Sequence, residues 1–380
     1  MAKCAGCLRK ISDISPVIGY CRDCLRSNPK YIEQALIHHR EWRGRIGLTG
    51  EPPRDGDDSV RCRFCVNNCS IPPDSSGYCR IVVNRGGRLT YITGDMDKAL
   101  LHWYLDPIPT NCVAAHLCPA STGAGYPKYS LREDGEEGYY NLAIFYAGCN
   151  LDCLFCQNIE HKYVLSDMRV INGWVKSIDD MLRVASDSRV TCICYFGGDP
   201  TPHIIYSLRL SRRIIEEAEE NRWIKKIRWE TNGLENPRLF EEMARLSLRS
   251  GGIVKIDWKA YTPSIYTALT GIDGAKAVER VKENIRIASK YIDERPEVPL
   301  LVISTLIIPH YIDGYEVGSM AEYISSINED IPMVLLGFAP HHLMRDMDRT
   351  PWSQMNEAIR AAKSAGVRNI HIGNIWLLKS

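Results

Sequence analysis

The second half of the chain alternates short apolar runs with longer segments in which apolar residues recur every three or four positions. The runs at 141–147, 191–196, 226–231, 253–259, 300–308 and 333–338 predict strands. The segments between them predict helices over 178–187, 204–221, 236–249, 274–292, 315–327 and 352–365. In the 274–292 segment the apolar stripe is Val278, Val281, Ile285, Ala288 and Ile292, and Asn236-Pro237 forms a helix start. Short apolar strands that alternate with amphipathic helices mark βαβ units on a parallel sheet. Six such units predict an α/β fold, a partial (β/α)6 TIM-like barrel, with residues 370–372 as a further strand. Ligands of such a barrel gather at the C-terminal ends of its strands.

The first 140 residues lack this rhythm. Residues 29–48 read as one helix with Ile32, Ala35, Leu36 and His39 on one face, and His38 and His39 as ordinary surface residues. The stretch from Gly50 to Ser59 is a linker by its Gly, Pro and Asp content. Residues 81–84 and 89–92 predict a β-hairpin around Arg85-Gly86-Gly87-Arg88. The chain therefore divides into a cysteine module at 1–48, a second metal module with a connecting region at 60–138, and the barrel at 139–380.

Cysteine changes the picture, because 380 residues carry 15 of them. Met1-Ala2-Lys3-Cys4 begins no apolar signal core, and no apolar run reaches 18 residues, so a cytoplasmic protein without a transmembrane segment is expected. Clustered thiols in a reducing compartment act as metal ligands rather than disulfides. Forty-seven basic residues against 46 acidic ones argue against a nucleic-acid partner. Cys4-x2-Cys7 and Cys21-x2-Cys24 describe a closed tetrahedral shell with a structural role. Zinc is the default metal there, and a rubredoxin-like single iron uses the same ligands. Cys62-x2-Cys65-x3-Cys69-x9-Cys79 fits zinc or a [4Fe–4S] cluster. Cys112, His116 and Cys118, among Pro107, Pro109 and Pro119, either border a metal site or pack as a loop with two buried thiols. Cys192 and Cys194 alternate along the second barrel strand and read as buried free thiols.

The sharpest feature follows the first barrel strand, where Cys149-x3-Cys153-x2-Cys156 offers three thiolates. A [4Fe–4S] cluster normally takes four, so three leave one iron open to a substrate or cofactor. Spacing alone also admits a zinc knuckle or three core cysteines. Gly197-Gly198-Asp199-Pro200 follows the second strand, and its glycines allow the backbone to approach a bound group closely.

With Phe155 before the third cysteine, C-x3-C-x-aromatic-C resembles the signature of the radical S-adenosylmethionine superfamily. The stretch Cys62 to Cys79, with Ile71-Pro72 and Gly77-Tyr78-Cys79, looks like the branch similar to pyruvate formate-lyase-activating enzymes, including the AmmeMemoRadiSam type. The resemblance implies a [4Fe–4S] cluster at Cys149, Cys153 and Cys156 that reductively cleaves S-adenosylmethionine. A 5′-deoxyadenosyl radical then takes hydrogen from a substrate. It also implies cofactor contacts from strand-end segments. Gly197, Gly198, Asp199 and Pro200 are similar to a Gly-Gly-Glu-Pro segment, with Asp in place of Glu. Thr231 and Asn232 precede Gly233, Lys259 closes Asp257-Trp258-Lys259, and Ser304 and Ile307 belong to the adenine-side segment. His341 and His342 compete for a nucleoside contact. A reductant of ferredoxin or flavodoxin type is implied as partner. The substrate stays open, with a partner protein among the options. The alternatives are a glycyl-radical-enzyme activator, a non-catalytic iron–sulfur or zinc scaffold, and a zinc-ribbon RNA-binding protein.

Overall fold

A computed structural model describes the chain except Met1, Ser12, Asp55 and Asn111, and except the side chains of Ala2 and Met168. Asp55 of the predicted linker thus lies outside the described residues. Nine strands form one sheet: β1 (Lys98–Pro107), β2 (Tyr140–Tyr146), β3 (Val175–Ser177), β4 (Val190–Tyr195), β5 (Lys226–Thr231), β6 (Val254–Asp257), β7 (Leu301–Ile307), β8 (Met333–Gly337) and β9 (Ile370–Gly373). They lie in the order β9-β8-β7-β6-β5-β4-β2-β1-β3. The run from β2 through β4 to β9 is parallel, whereas β1 is antiparallel to both β2 and β3. Eight helices matter below: α1 (Glu33–Arg45), α2 (Ile178–Ala185), α3 (Ile204–Asn221), α4 (Pro237–Ser250), α5 (Pro263–Thr270), α6 (Gly274–Ser289), α7 (Gly314–Ser325) and α8 (Trp352–Ser364).

The rhythm of the sequence therefore corresponds to a partial parallel barrel, with residues 370–373 as its seventh parallel strand. Local chemistry sets the helix starts. Ser177 and Asp180 form a capping box before α2, and Asn236, Asp273 and Asp313 cap α4, α6 and α7. Neither α5 nor β1 was foreseen. The α5 helix is buried almost throughout, from Ile265 to Thr270, so it shows no polar face for a periodicity to mark. The ten-residue β1 comes from the connecting region, so a boundary at residue 139 cuts through the sheet.

Below the strand ends, the barrel is plugged by the segment between β1 and β2. Ile108, Ala114, Cys118, Ala120 and Tyr129 pack against Val298, Val302 and Val334. Every second residue of β5 and β6 faces this interior, and these residues are charged. Lys226 donates to buried Glu136 at 2.7 Å, and the Thr191 hydroxyl donates to the same carboxylate. One layer up, Arg228 donates to Cys118 Sγ at 3.0 Å and Cys112 Sγ at 2.9 Å. Next, Lys255 donates to Glu230 at 2.9 Å, and Cys112 Sγ lies 3.3 Å from the same carboxylate. Cys112 and Cys118 thus face a guanidinium, with Cys192 and Cys194 near enough to act on its charge. His116 stacks on His371 at 3.7 Å between ring centroids.

Candidate active site

Beyond β2 the chain turns at Gly148 and the three cysteines follow. Cys149, Cys153 and Cys156 line a single pocket at the C-terminal ends of the strands. Burial pushes their thiols up, Cys153 to about 12, while Lys162 and Lys259 act in the opposite direction on Cys153. Thiolates here form together with a bound cation. His161 Nε2 lies 3.6 Å from Cys156 Sγ. Burial lowers His161 to about 3, so its ring is neutral at pH 7.

The loop between the cysteines is held by a residue that sequence reasoning missed. Asp152 is 1 % exposed and faces three basic side chains. His39 Nδ1 lies 2.8 Å from its carboxylate, Arg43 Nη1 lies 3.4 Å away, and Lys162 Nζ donates to it. Burial alone would raise the Asp152 carboxyl, but Lys162, His39 and Arg43 hold it well below the usual carboxylate range. His39 Nε2 also faces the Ala268 carbonyl at 3.1 Å, so both ring nitrogens meet oxygen atoms. Arg43 further donates to Thr49 O and Tyr78 O, each at 2.6 Å. The expectation that His39 is a surface residue is therefore wrong. One turn apart on α1, His39 and Arg43 share the face that clamps the cysteine loop. The loop backbone is fixed as well: Asp152 N donates to Thr270 O and Leu154 N to Leu269 O, both on α5.

The glycines after β4 serve the fold closely. A Cβ on Gly197 would lie 1.6 Å from the Phe145 ring, and one on Gly198, at φ +68°, would lie 2.2 Å from Tyr146 O. The 197–199 backbone thereby lies flush against β2 and faces the pocket. Asp199 accepts from Thr201 N and Asn232 N, each at 2.9 Å, and so ties the β4 loop to the β5 loop. Buried Glu235, also missed from the sequence, accepts from Thr231 and Thr201. Burial and the neighbouring Asp199 raise it to about 7. Behind this loop His203 lies between Tyr91 and Tyr146 and donates to Ala147 O at 3.2 Å.

Burial lowers His203 to about 3 from an ordinary 6.5. Below pH 6.5 the unfolded chain takes up a proton at this site and the folded chain does not, so stability falls with falling pH until about pH 3. The expected loss from this residue between pH 6.5 and 5 is about 2 kcal/mol. Thermal unfolding of wild type and His203→Gln at pH 7 and pH 5 checks it. The wild type is expected to lose more stability than the variant, and equal losses contradict the assignment.

The rest of the pocket wall comes from strand ends. Glu230, Thr231, Asn232, Lys255, Asp257 and Lys259 line it, together with Phe155, Leu306, Leu336 and Asn374. Lys259 donates to Asp257 at 2.7 Å and lies 5.7 Å from the Phe155 ring centroid. Burial alone would lower Lys259, but Asp257 and Cys153 raise it overall. Among the residues singled out from the sequence, Phe155, Gly197, Gly198, Asp199, Thr231, Asn232 and Lys259 share the pocket with the three cysteines. Pro200, Ser304, Ile307, His341 and His342 do not line it. Ser304 and Ile307 are fully buried, and His342 packs edge-on against Trp42 at 4.5 Å. Leu343 N, next to His342, donates to Leu154 O, so this segment braces the cysteine loop from outside.

This donor set fits a site-differentiated iron–sulfur cluster with a polar cofactor. Three thiols converge on one space, a buried lysine and carboxylate stand beside them, and among the described residues Asp257 Oδ1 is buried without a partner.

The two N-terminal cysteine groups differ in geometry. The sulfurs of Cys4, Cys7, Cys21 and Cys24 all lie within 4.8 Å of one another, with Cys4–Cys24 at 3.6 Å and Cys7–Cys21 at 3.8 Å. Arg9 Nε donates to Cys7 Sγ at 3.3 Å and lowers that thiol to about 6. The module docks on the loop before α7: Arg26 pairs with Asp313 at 2.6 Å and Glu316 at 3.0 Å, and Tyr311 donates to Tyr20 O. Cys62, Cys65, Cys69 and Cys79 line a separate cavity. No helix among the described residues is long and apolar enough to cross a membrane.

Residues 143–317 match the family model described as the Radical SAM superfamily. Over 69 residues the chain is 33% identical to an uncharacterized protein of Methanocaldococcus jannaschii, covering 17% of this chain and 20% of that protein. The chain therefore matches about a fifth of that relative's length. Among solved structures it is similar to Streptococcus suis SuiB, with a TM-score of 0.40 and 12% identity, covering 63% of this chain and 48% of that one. SuiB bound to S-adenosylmethionine gives 0.39 and 14%, covering 61% and 48%. A domain of pyruvate-formate lyase-activating enzyme from Bacteroides vulgatus gives 0.35 and 17%, covering 48% and 98%.

Proposed function

We propose that the barrel, which carries a Radical SAM superfamily domain over residues 143–317, holds a [4Fe–4S] cluster at Cys149, Cys153 and Cys156 with S-adenosylmethionine beside it. The observation that carries this reading is the convergence of three thiols, and no fourth, on a pocket otherwise walled by charged strand-end residues. When bound, the cluster and S-adenosylmethionine supply a primary carbon radical able to take hydrogen from an unactivated C–H bond.

The chain's own residues bind, orient and exclude water. The backbone at Gly197, Gly198 and Asp199 offers a flat edge for the amino group of the cofactor. Lys259 and Asp257 present one cation and one free carboxylate oxygen to its polar end. Thr231 and Asn232 complete that wall, and Phe155 covers the cysteine loop. Pro200, Ser304, Ile307, His341 and His342 support this shell from behind. Glu230 and Lys255, deeper in the barrel, form the far wall where a substrate would enter the radical's reach.

At Cys4, Cys7, Cys21 and Cys24 the sulfur separations suit zinc, whose Zn–S bonds of about 2.3 Å place tetrahedral ligands roughly 3.8 Å apart. The protein works in the cytoplasm with a one-electron reductant of ferredoxin or flavodoxin type. The test is anaerobic reconstitution, reduction with dithionite and addition of S-adenosylmethionine. Formation of methionine and 5′-deoxyadenosine is expected, and neither product from a fully iron-loaded protein contradicts the proposal.

A further inference from the structure

Cys62, Cys65, Cys69 and Cys79 line one space, walled further by Phe64, Tyr78 and Val82. Cys62 and Cys69 are buried. We infer that these four residues hold a second, fully ligated [4Fe–4S] cluster that passes electrons to the pocket of Cys149, Cys153 and Cys156.

Three observations carry the inference. The first is spread. Among the described residues, the four-cysteine set whose ligand atoms all lie within 4.8 Å is the N-terminal one, which has the size of a single tetrahedral ion. Cys62, Cys65, Cys69 and Cys79 are not gathered that tightly but line a cavity, as the ligands at the four corners of a cubane do. The second is enclosure. Cys62 and Cys69 are buried and Cys65 and Cys79 partly so, and Phe64, Tyr78, Val82 and Pro202 wall the cavity they line, a hydrophobic shell of the kind that controls solvent access to a metal centre.

The third observation is position. Asn67 Nδ2 donates to Asn150 O at 2.7 Å, and Asn150 both lines this cavity and adjoins Cys149. The carbonyl of Cys79 lies against Gly148, where a Cβ would come within 2.9 Å of it. Thr201 and Pro202 close the cavity from the same loop that brings Gly198 and Asp199 to the other pocket. The chain thus passes directly from one site to the other at Cys149-Asn150.

Four protein ligands leave no open iron, so this centre binds neither substrate nor cofactor. It takes one electron from the external reductant, going from the 2+ to the 1+ state. It returns to 2+ as the neighbouring cluster is reduced by that electron. The relay rests on the proposed function above, whereas the presence of the cluster does not.

The test uses the full chain, reconstituted anaerobically, with iron, sulfide and zinc counted per chain. Wild type is expected to hold about eight irons, and Cys62→Ser/Cys65→Ser about four. Cys149→Ala/Cys153→Ala/Cys156→Ala is also expected to hold about four, with an electron paramagnetic resonance signal unmoved by S-adenosylmethionine. A triple variant that binds zinc but no iron overturns the assignment, and it does so even if the Cys62→Ser/Cys65→Ser protein does not fold. For the relay, reduced protein is freed of excess reductant and mixed with S-adenosylmethionine. Because each cleavage consumes one electron, wild type is expected to give roughly twice the 5′-deoxyadenosine of Cys62→Ser/Cys65→Ser. Equal yields per chain overturn the relay, and no product from either protein contradicts the proposed function instead.

Discussion

Replacing Asp152 with asparagine is expected to lower the unfolding free energy by about 3–5 kcal/mol, because removing one partner of a buried ion pair strands the other charges. Three side chains are stranded at once. Arg43 and Lys162 are almost fully buried, and His39 is 1 % exposed. The amide keeps the shape of the carboxylate but supplies no charge. The effect should reach the pocket, since Asp152 lies next to Cys153 and its loop is stitched to α5 through Thr270 and Leu269. Iron retained after reconstitution should therefore fall together with the urea midpoint. Unchanged stability and iron content would show that the carboxylate is not what holds the loop.

The second large effect is at the cysteines themselves. Cys153→Ala is expected to remove the site-differentiated cluster and lower 5′-deoxyadenosine formation at least about 1,000-fold, since the chemistry belongs to the bound group and not to the side chains around it. Stability should change less than in Asp152→Asn, because Cys153 is partly exposed and contributes no charge to the clamp. The pairing is informative. One variant loses the cluster by losing a ligand, the other by loosening the loop that presents it. Product quantified by chromatography, alongside thermal unfolding, separates the two. A Cys153→Ala protein that forms product at the wild-type rate removes this residue from the site.

Much of the frame was legible because parallel strands and their helices carry opposite periodicities. The six expected strands lie within two residues of β2 and β4–β8 at either end. The cysteine motif was legible because its spacing is local. The clamp on Asp152 was not, since two of its three partners come from α1, more than 100 residues earlier, and α1 carries no clear apolar stripe. His39 looked like surface because a buried histidine and a solvated one have the same local sequence. The barrel lining did leave a signal that the strand assignments passed over. Lys226-Ile227-Arg228-Trp229-Glu230 alternates charged and apolar residues, and its charged face lines the interior. Glycines 197 and 198 were expected to make room for a ligand, and their closest constraint is contact with β2.

The account rests on an iron at Cys149, Cys153 and Cys156 that remains open to S-adenosylmethionine. The most direct measurement is the electron paramagnetic resonance spectrum of the reduced wild-type protein before and after S-adenosylmethionine is added. A shift in the reduced-cluster signal, absent from the Cys149→Ala/Cys153→Ala/Cys156→Ala variant, is the predicted result. A wild-type spectrum that the cofactor leaves unchanged contradicts the account.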